Sequence, residues 1–223
     1  MINVIFLGPP GSGKGTQASI LADNLGIPTI STGDALRREV ENESEIGKMA
    51  KGFMTSGQLV PDEVVINIIK NRITQEDCSN GFIVDGFPRN ISQAKSFDQM
   101  LKTVDRKIDV VFNFEVNDDI LVKRISGRFS CKECGALYNR YFKTLKKEGV
   151  CDSCNSSQFL NRADDNENTV KSRLEVFHGF NGDLTEYYKK NNLLYSIDAV
   201  QSVPFVSERL IEISKEFLSL NNN

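Results

Sequence analysis

The sequence has no apolar run approaching the ~18 residues of a membrane-spanning helix, which argues against a membrane protein. It has no basic excess either. A formal charge of −3 disfavours a chain built to coat nucleic acid, although a local basic cleft is compatible with it. No internal repeat or low-complexity tract is present. The opening stretch Met-Ile-Asn-Val-Ile-Phe-Leu-Gly has neither a basic region nor a small-residue cleavage site, so no signal peptide is expected and the cytoplasm is the expected setting. Histidine is nearly absent: His178 is the single one, and its place late in a helical pattern suits packing or capping better than catalysis. What remains is ordinary: 39% hydrophobic and 26% charged residues over 223 positions, enough for one sizeable α/β domain with smaller insertions.

Along the chain, Ile2–Leu7 is wholly apolar and ends at a glycine, the pattern of a strand buried on both faces. Thr16–Leu25 places Ala18, Leu21, Ala22 and Leu25 at helical spacing, and Gly26 supplies a stop signal. Further strands are expected at 29–30, 82–84, 110–116 and 193–197, with helical patterns at 33–41, 62–74, 91–101, 118–125 and 203–218 between them. Alternation of this kind predicts a parallel, doubly wound sheet whose strand C-termini share one edge. Gly8, Asp85 and Asp198 all fall just past strand ends, so the chemistry is expected there. Segments 31–60, helical and polar, and 127–164, rich in cysteine, interrupt the alternation as insertions. The terminal Asn221–Asn223 read as a frayed tail.

Two motifs carry chemistry. Gly8-Pro9-Pro10-Gly11-Ser12-Gly13-Lys14-Gly15-Thr16 is a phosphate-binding loop: glycines let backbone N–H groups approach phosphate oxygens, the following helix aims its dipole at the same anion, and Lys14 adds a point charge. The strict pattern has Ser or Thr directly after the lysine; here Gly15 intervenes before Thr16. The second motif is a pair of CxxC knuckles, Cys131/Cys134 and Cys151/Cys154, sixteen residues apart. Four thiolates form a closed tetrahedral site for zinc, structural rather than catalytic. An iron–sulfur cluster also uses four thiolates, but knuckle spacing favours zinc. Cys78 lies outside the pattern and reads as a free, partly buried thiol.

Together with Ser31-Thr32-Gly33-Asp34, Asp85-Gly86-Phe87-Pro88-Arg89, Gly127-Arg128 and Arg162-Ala163-Asp164-Asp165, these motifs occur in the order seen in adenylate kinases. The chain resembles that family over essentially its whole length, in the long form with a four-cysteine lid, and the Gly-Lys-Gly-Thr loop variant is also the family's. The resemblance implies a three-layer P-loop core of the nucleoside-monophosphate-kinase type with a central five-stranded parallel sheet (1–30, 61–126 and 165–223), a helical AMP-binding insertion (31–60) and a zinc-bearing lid (127–164). It implies reversible phosphoryl transfer from MgATP to AMP, giving two ADP, by a monomer with no nucleic-acid or membrane partner.

Carried over by resemblance, the ATP site comprises Gly11, Ser12, Gly13, Lys14, Gly15 and Thr16, with Arg124 over the adenine, Arg128 on the phosphates, Leu137 and Tyr138 on the ribose or base, and Gln201 in the segment 199–203 that holds the base. The AMP site comprises Thr32, Arg37, Gln58, Leu59, Val60, Gly86, Phe87, Pro88, Arg89 and Gln93. Arg162 and Arg173 swing in to stabilise charge on the transferring group, joining Lys14, Arg37, Arg89 and Arg128 as the catalytic cations. Asp85 is expected to hold Mg²⁺ through water, with Asp34 facing it from the other side. Four local expectations complete the reading: a capping box from Asp164 to Glu167, an apolar stripe at Val170, Leu174 and Phe177, core positions for Phe177, Phe180, Tyr187 and Tyr188, and a bend at Gly179–Asp183. A kinase for another acceptor (UMP, CMP or shikimate) and a zinc-ribbon nucleic-acid-binding ATPase are the competing readings; the acidic charge and the Asp-Gly-Phe-Pro-Arg motif weigh against the second.

Overall fold

A computed structural model describes residues 1–162 and 165–221. Five parallel strands, β1 (Ile2–Leu7), β2 (Thr29–Ser31), β3 (Gly81–Asp85), β4 (Val110–Glu115) and β8 (Leu194–Asp198), form one sheet in the order β2-β3-β1-β4-β8. Its faces are covered by α1 (Lys14–Leu25) and α8 (Val203–Asn221) on one side, and by α4 (Asp62–Ile73), α5 (Ile91–Lys102) and α7 (Glu167–Lys190) on the other. The pleat explains the layering. Alternate β1 residues point to opposite faces: Val4 and Phe6 pack with Leu21 and Leu210, whereas Ile5 and Leu7 pack with Ile69, Phe97 and Leu184. All six β1 residues are buried, as a purely apolar strand in a parallel sheet requires.

The stretch 31–60 folds as the helix pair α2 (Thr32–Glu41) and α3 (Glu45–Ser56), capped by the side chains of Ser31 and Ser44. After α6 (Asp118–Ser126) comes a small antiparallel sheet, β6-β5-β7, from β5 (Arg128–Cys131), β6 (Leu137–Asn139) and β7 (Phe159–Leu160). Its core is separate from the others: Cys131, Tyr138 and Cys151 buried beside Phe129, Ala136, Leu145 and Phe159.

Three local expectations differ from what is found. No bend occurs at Gly179–Asp183: α7 runs unbroken through it for 24 residues. Val170, Leu174, Phe177, Asn181, Leu184 and Tyr188 recur at alternating spacings of four and three, a stripe that keeps one helical face covered whatever the glycines prefer. Phe180 sits one position off that stripe and is exposed (44%), while Tyr188 is fully buried and Tyr187 is half-buried with its hydroxyl on Asp98 at 2.6 Å. The N-cap of α7 is Asn166, whose side chain accepts from the Thr169 N–H at 3.0 Å. Asp164, expected to cap this helix, and the terminal Asn222 and Asn223 lie outside the described residues. Cys78 is free but fully buried, its Sγ 3.1 Å from the Arg72 guanidinium. His178 meets Asp118 at 2.9 Å on the surface, joining α7 to α6.

Because Gly179 and Gly182 are helical and a Cβ built on either meets nothing within 4 Å, each costs helix stability with no packing return. Gly182→Ala is expected to stabilise the protein by about 0.5–1 kcal/mol, read as a higher midpoint in thermal unfolding; a lower one would mean that the helix needs to bend there.

Candidate active site

The phosphate loop leaves β1 at Gly8 and enters α1 at Lys14, with Gly8, Gly11 and Gly13 at positive φ (140°, 81° and 98°). Those angles fold the chain back over the N-terminus of α1, so that the Lys14 ammonium donates to the carbonyls of Gly8 (2.7 Å) and Pro9 (2.8 Å). Burial lowers the Lys14 pKa from 10.5 to about 8; Asp85 opposes this, and Arg89, Arg173 and Arg128 add to it. Asp85 closes β3, with its carboxylate against α1: a Cβ placed on Gly15 would lie 3.6 Å from its Oδ2. Burial pushes the Asp85 carboxyl up, and the Lys14 charge works against that.

The loop forms the floor of a cleft of about 1000 Å³, and every residue carried over for the two nucleotides borders it. From the helix pair come Thr32, Arg37, Gln58, Leu59 and Val60; from the loop after β3 come Gly86, Phe87, Pro88, Arg89 and Gln93; from the other side come Arg124, Arg128, Leu137, Tyr138, Arg162, Arg173 and Gln201. The cations are held by acceptors. Asp34 takes hydrogen bonds from Arg37 (2.5 Å) and Arg162 (3.1 Å). Burial tends to raise its carboxyl, but the Arg37 hydrogen bond and the two guanidinium charges outweigh that and hold it below the usual range. Asp34 therefore pairs with two arginines here. Asp165 takes a two-point contact from Arg128 (2.7 and 2.6 Å) and lies 3.8 Å from Arg173. Arg89 donates to the Gly86 carbonyl at 2.8 Å. Desolvation, then repulsion from Arg128 and Arg37, lowers Arg162 to about 10.

Several side chains have narrower places than expected. Gln93 is buried, donating to Asp62 (2.7 Å) and accepting from the Arg89 N–H (2.7 Å). Arg124 donates to the Ala199 carbonyl (3.1 Å) and to Ser12 (3.4 Å), tying the 199–203 segment to the phosphate loop. Gln201 donates to Asp198 at 2.9 Å. Tyr138 is only 3% exposed; its hydroxyl contacts Cys151 Sγ (3.3 Å) and accepts from the Asp152 N–H (2.8 Å), so that hydroxyl is engaged with the cysteine cluster. Sequence reading missed Asp165 as the partner of Arg128. It also missed Phe142, whose ring lies 5.8 Å from the Arg124 guanidinium at the cleft wall. Tyr141 and Phe142 form a short aromatic pair between Arg140 and Lys143, which leaves no periodic signal.

The four cysteines converge, their sulfurs all within 4.8 Å of one another. Cys131–Cys154 and Cys134–Cys151 measure 3.5 and 3.6 Å, near the edge of about 3.8 Å that a tetrahedron with zinc–sulfur bonds of about 2.3 Å requires. The two knuckles match: Gly135 N–H donates to the Cys131 carbonyl and Asn155 N–H to that of Cys151, while the Cys131 and Cys151 N–H groups donate to Ala136 and Ser156. The donor set and its geometry fit zinc. Metal-free protein is expected to take up Zn²⁺ and gain thermal stability, with initial rate at moderate temperature changing less; Cys131→Ser should abolish both uptake and gain. Loss of turnover at an unchanged melting temperature would refute a structural role.

The adenylate kinase family model matches residues 6–193. Among curated proteins, the chain is 48% identical to an adenylate kinase of Caldicellulosiruptor saccharolyticus, over 95% of this chain and 98% of that one. It is 49% identical to an adenylate kinase of Methanosarcina barkeri, over 97% of this chain and all of that protein. It is 45% identical to one from Archaeoglobus fulgidus, over 98% of this chain and all of that protein. With the phosphate loop, the arginine-lined cleft and near end-to-end likeness to these proteins, the chain belongs to the adenylate kinase family.

Proposed function

We propose that the protein transfers the terminal phosphoryl group of MgATP to AMP, reversibly, yielding two ADP. The observation that carries this reading is convergence: Lys14, Arg37, Arg89, Arg124, Arg128, Arg162 and Arg173 all border one cleft over the phosphate loop. Phosphoryl transfer spreads charge over oxygens and needs the donor and acceptor in line, so catalysis is largely positioning and charge stabilisation. No general base is required, because the acceptor is itself a phosphate.

In this reading residues 1–30, 61–126 and 165–223 form the core, 31–60 the AMP side and 127–164 the lid. The loop 11–16 and Lys14 cradle the outer phosphates of ATP, Arg124 and the 199–203 segment take its base, and Leu137 borders its ribose. Arg37 and Arg89 clamp the AMP phosphate, where Arg89 suits a bidentate contact; Thr32, Gln58, Leu59, Val60 and Gln93 surround the base. Arg128, Arg162 and Arg173 exchange their aspartates for phosphate oxygens, and the closed cleft keeps out the water that would hydrolyse the triphosphate. Mg²⁺, arriving with ATP, supplies charge neutralisation; Asp85, beside Lys14 at the strand end, would hold it through water. Cys131, Cys134, Cys151 and Cys154 would hold zinc, whose cross-link would order the lid. The monomeric state and the cytoplasmic setting belong to the same proposal.

The decisive assay offers ATP with AMP, UMP, CMP and GMP in parallel. ADP formation with AMP alone is expected; equal turnover of another monophosphate would reassign the acceptor. Arg89→Ala should cut kcat/KM at least ~100-fold, the scale of losing a bidentate charge contact in the transition state, while MgATP binding measured alone changes little. Lys14 adds a pH dependence. Its folded pKa of about 8 lies below the ordinary 10.5, so the charged form destabilises the empty fold below pH 8 and that cost disappears between about pH 8 and 10.5. Triphosphate favours the charged form. ATP binding at pH 8–9 is therefore expected to take up protons, seen calorimetrically in buffers of different ionisation enthalpy, and to weaken as pH rises; Lys14→Met should lose both effects.

A further inference from the structure

A helix ends with four carbonyls that lack partners within it, and those of α3 have an unusual settlement. Gln58 N–H donates to the Phe53 carbonyl (2.9 Å) and Gly57 N–H to that of Met54 (3.3 Å), with Gly57 left-handed at φ 76°. That is a Schellman ending, and it satisfies two of the four. The other two are satisfied by a different part of the chain. Thr169 Oγ1 donates to the Thr55 carbonyl (3.0 Å) and Ser172 Oγ to that of Ser56 (2.9 Å). Thr169 and Ser172 stand three residues apart on α7, on one face of its first two turns. Ser172 Oγ also accepts from Gln58 Nε2 at 3.3 Å. The contact is close: a Cβ on Gly57 would lie 3.0 Å from the Thr169 carbonyl and 3.1 Å from Arg173 Cγ.

We infer that Thr169 and Ser172 are positioning residues for the acceptor nucleotide. Their hydroxyls cap α3 from outside and so fix where the backbone of Gln58, Leu59 and Val60 lies, and they do so beside Arg173, the next residue of α7. Neither side chain borders the cleft; both act through the segment that does. The inference rests on the reading of Gln58–Val60 as the lining of the AMP base.

The test is the double variant Thr169→Val/Ser172→Ala, with Thr169→Ser/Ser172→Thr as the hydroxyl-retaining control. KM for AMP is expected to rise roughly fivefold to tenfold, the scale of two net hydrogen bonds, while KM for ATP stays within about twofold. Amide hydrogen exchange at residues 57–60 should quicken in the double variant and stay near wild type in the control. An unchanged KM for AMP, or equal rises for both nucleotides, would overturn the inference; the second result is what general loosening of the fold produces. In the unmodified enzyme AMP should slow exchange at 58–60. If it does not, the assignment of that segment to AMP fails, while the effect of the hydroxyls on its exchange is still read separately.

Discussion

Like charges crowded into one cleft are the constraint on which this structure turns. A site made to neutralise phosphate must hold several cations close together, and at the low effective dielectric of a cleft their repulsion is costly. Three aspartates answer it. Asp85 stands beside Lys14, Asp34 joins Arg37 to Arg162, and Asp165 holds Arg128 with Arg173 near. Each lies where two elements meet: Asp85 at the end of β3 over α1, Asp34 in the first turn of α2 reaching the strand exit at Arg162, and Asp165 just before α7. The carboxylates that keep the cations apart thus also join separate elements of the chain. Phosphate oxygens are the natural competitors for the same guanidinium groups.

Much of this was legible in the sequence because it is encoded locally. A six-residue apolar strand, a glycine loop and a helix stop lie within the first 26 residues, and the order of strands and helices implies the parallel sheet. The two CxxC pairs need only spacing to announce a common site. What was illegible depends on distant partners. Gly179 and Gly182 suggest a break, yet the stripe from Val170 to Tyr188 is covered by neighbours far away in sequence and keeps α7 unbroken. Asp164 and Glu167 suggested a cap, but Asn166 provides it, and Asp165 is turned to Arg128, 37 residues away. Gln93, Gln201 and Tyr138 were found in the cleft as expected; their hydrogen bonds to Asp62, Asp198 and Cys151 could come only from the fold.

Helix α7 links several regions. Asp165 at its start meets the arginine of β5, Thr169 and Ser172 cap α3, Arg173 borders the cleft, and Leu184 and Tyr188 are anchored in the main core. Because α7 runs unbroken through 179–183, these contacts all sit on one continuous helix.

The cysteine-centred core around Tyr138 shares none of its members with the two large cores. Heritable change can therefore act on the two separately. Substitutions among Phe129, Leu145 and Phe159 act on this small core without touching the strands that hold the phosphate loop. Adaptation of a lineage to heat or cold thus has two nearly independent dials, one in the large cores and one in the small cysteine-centred core.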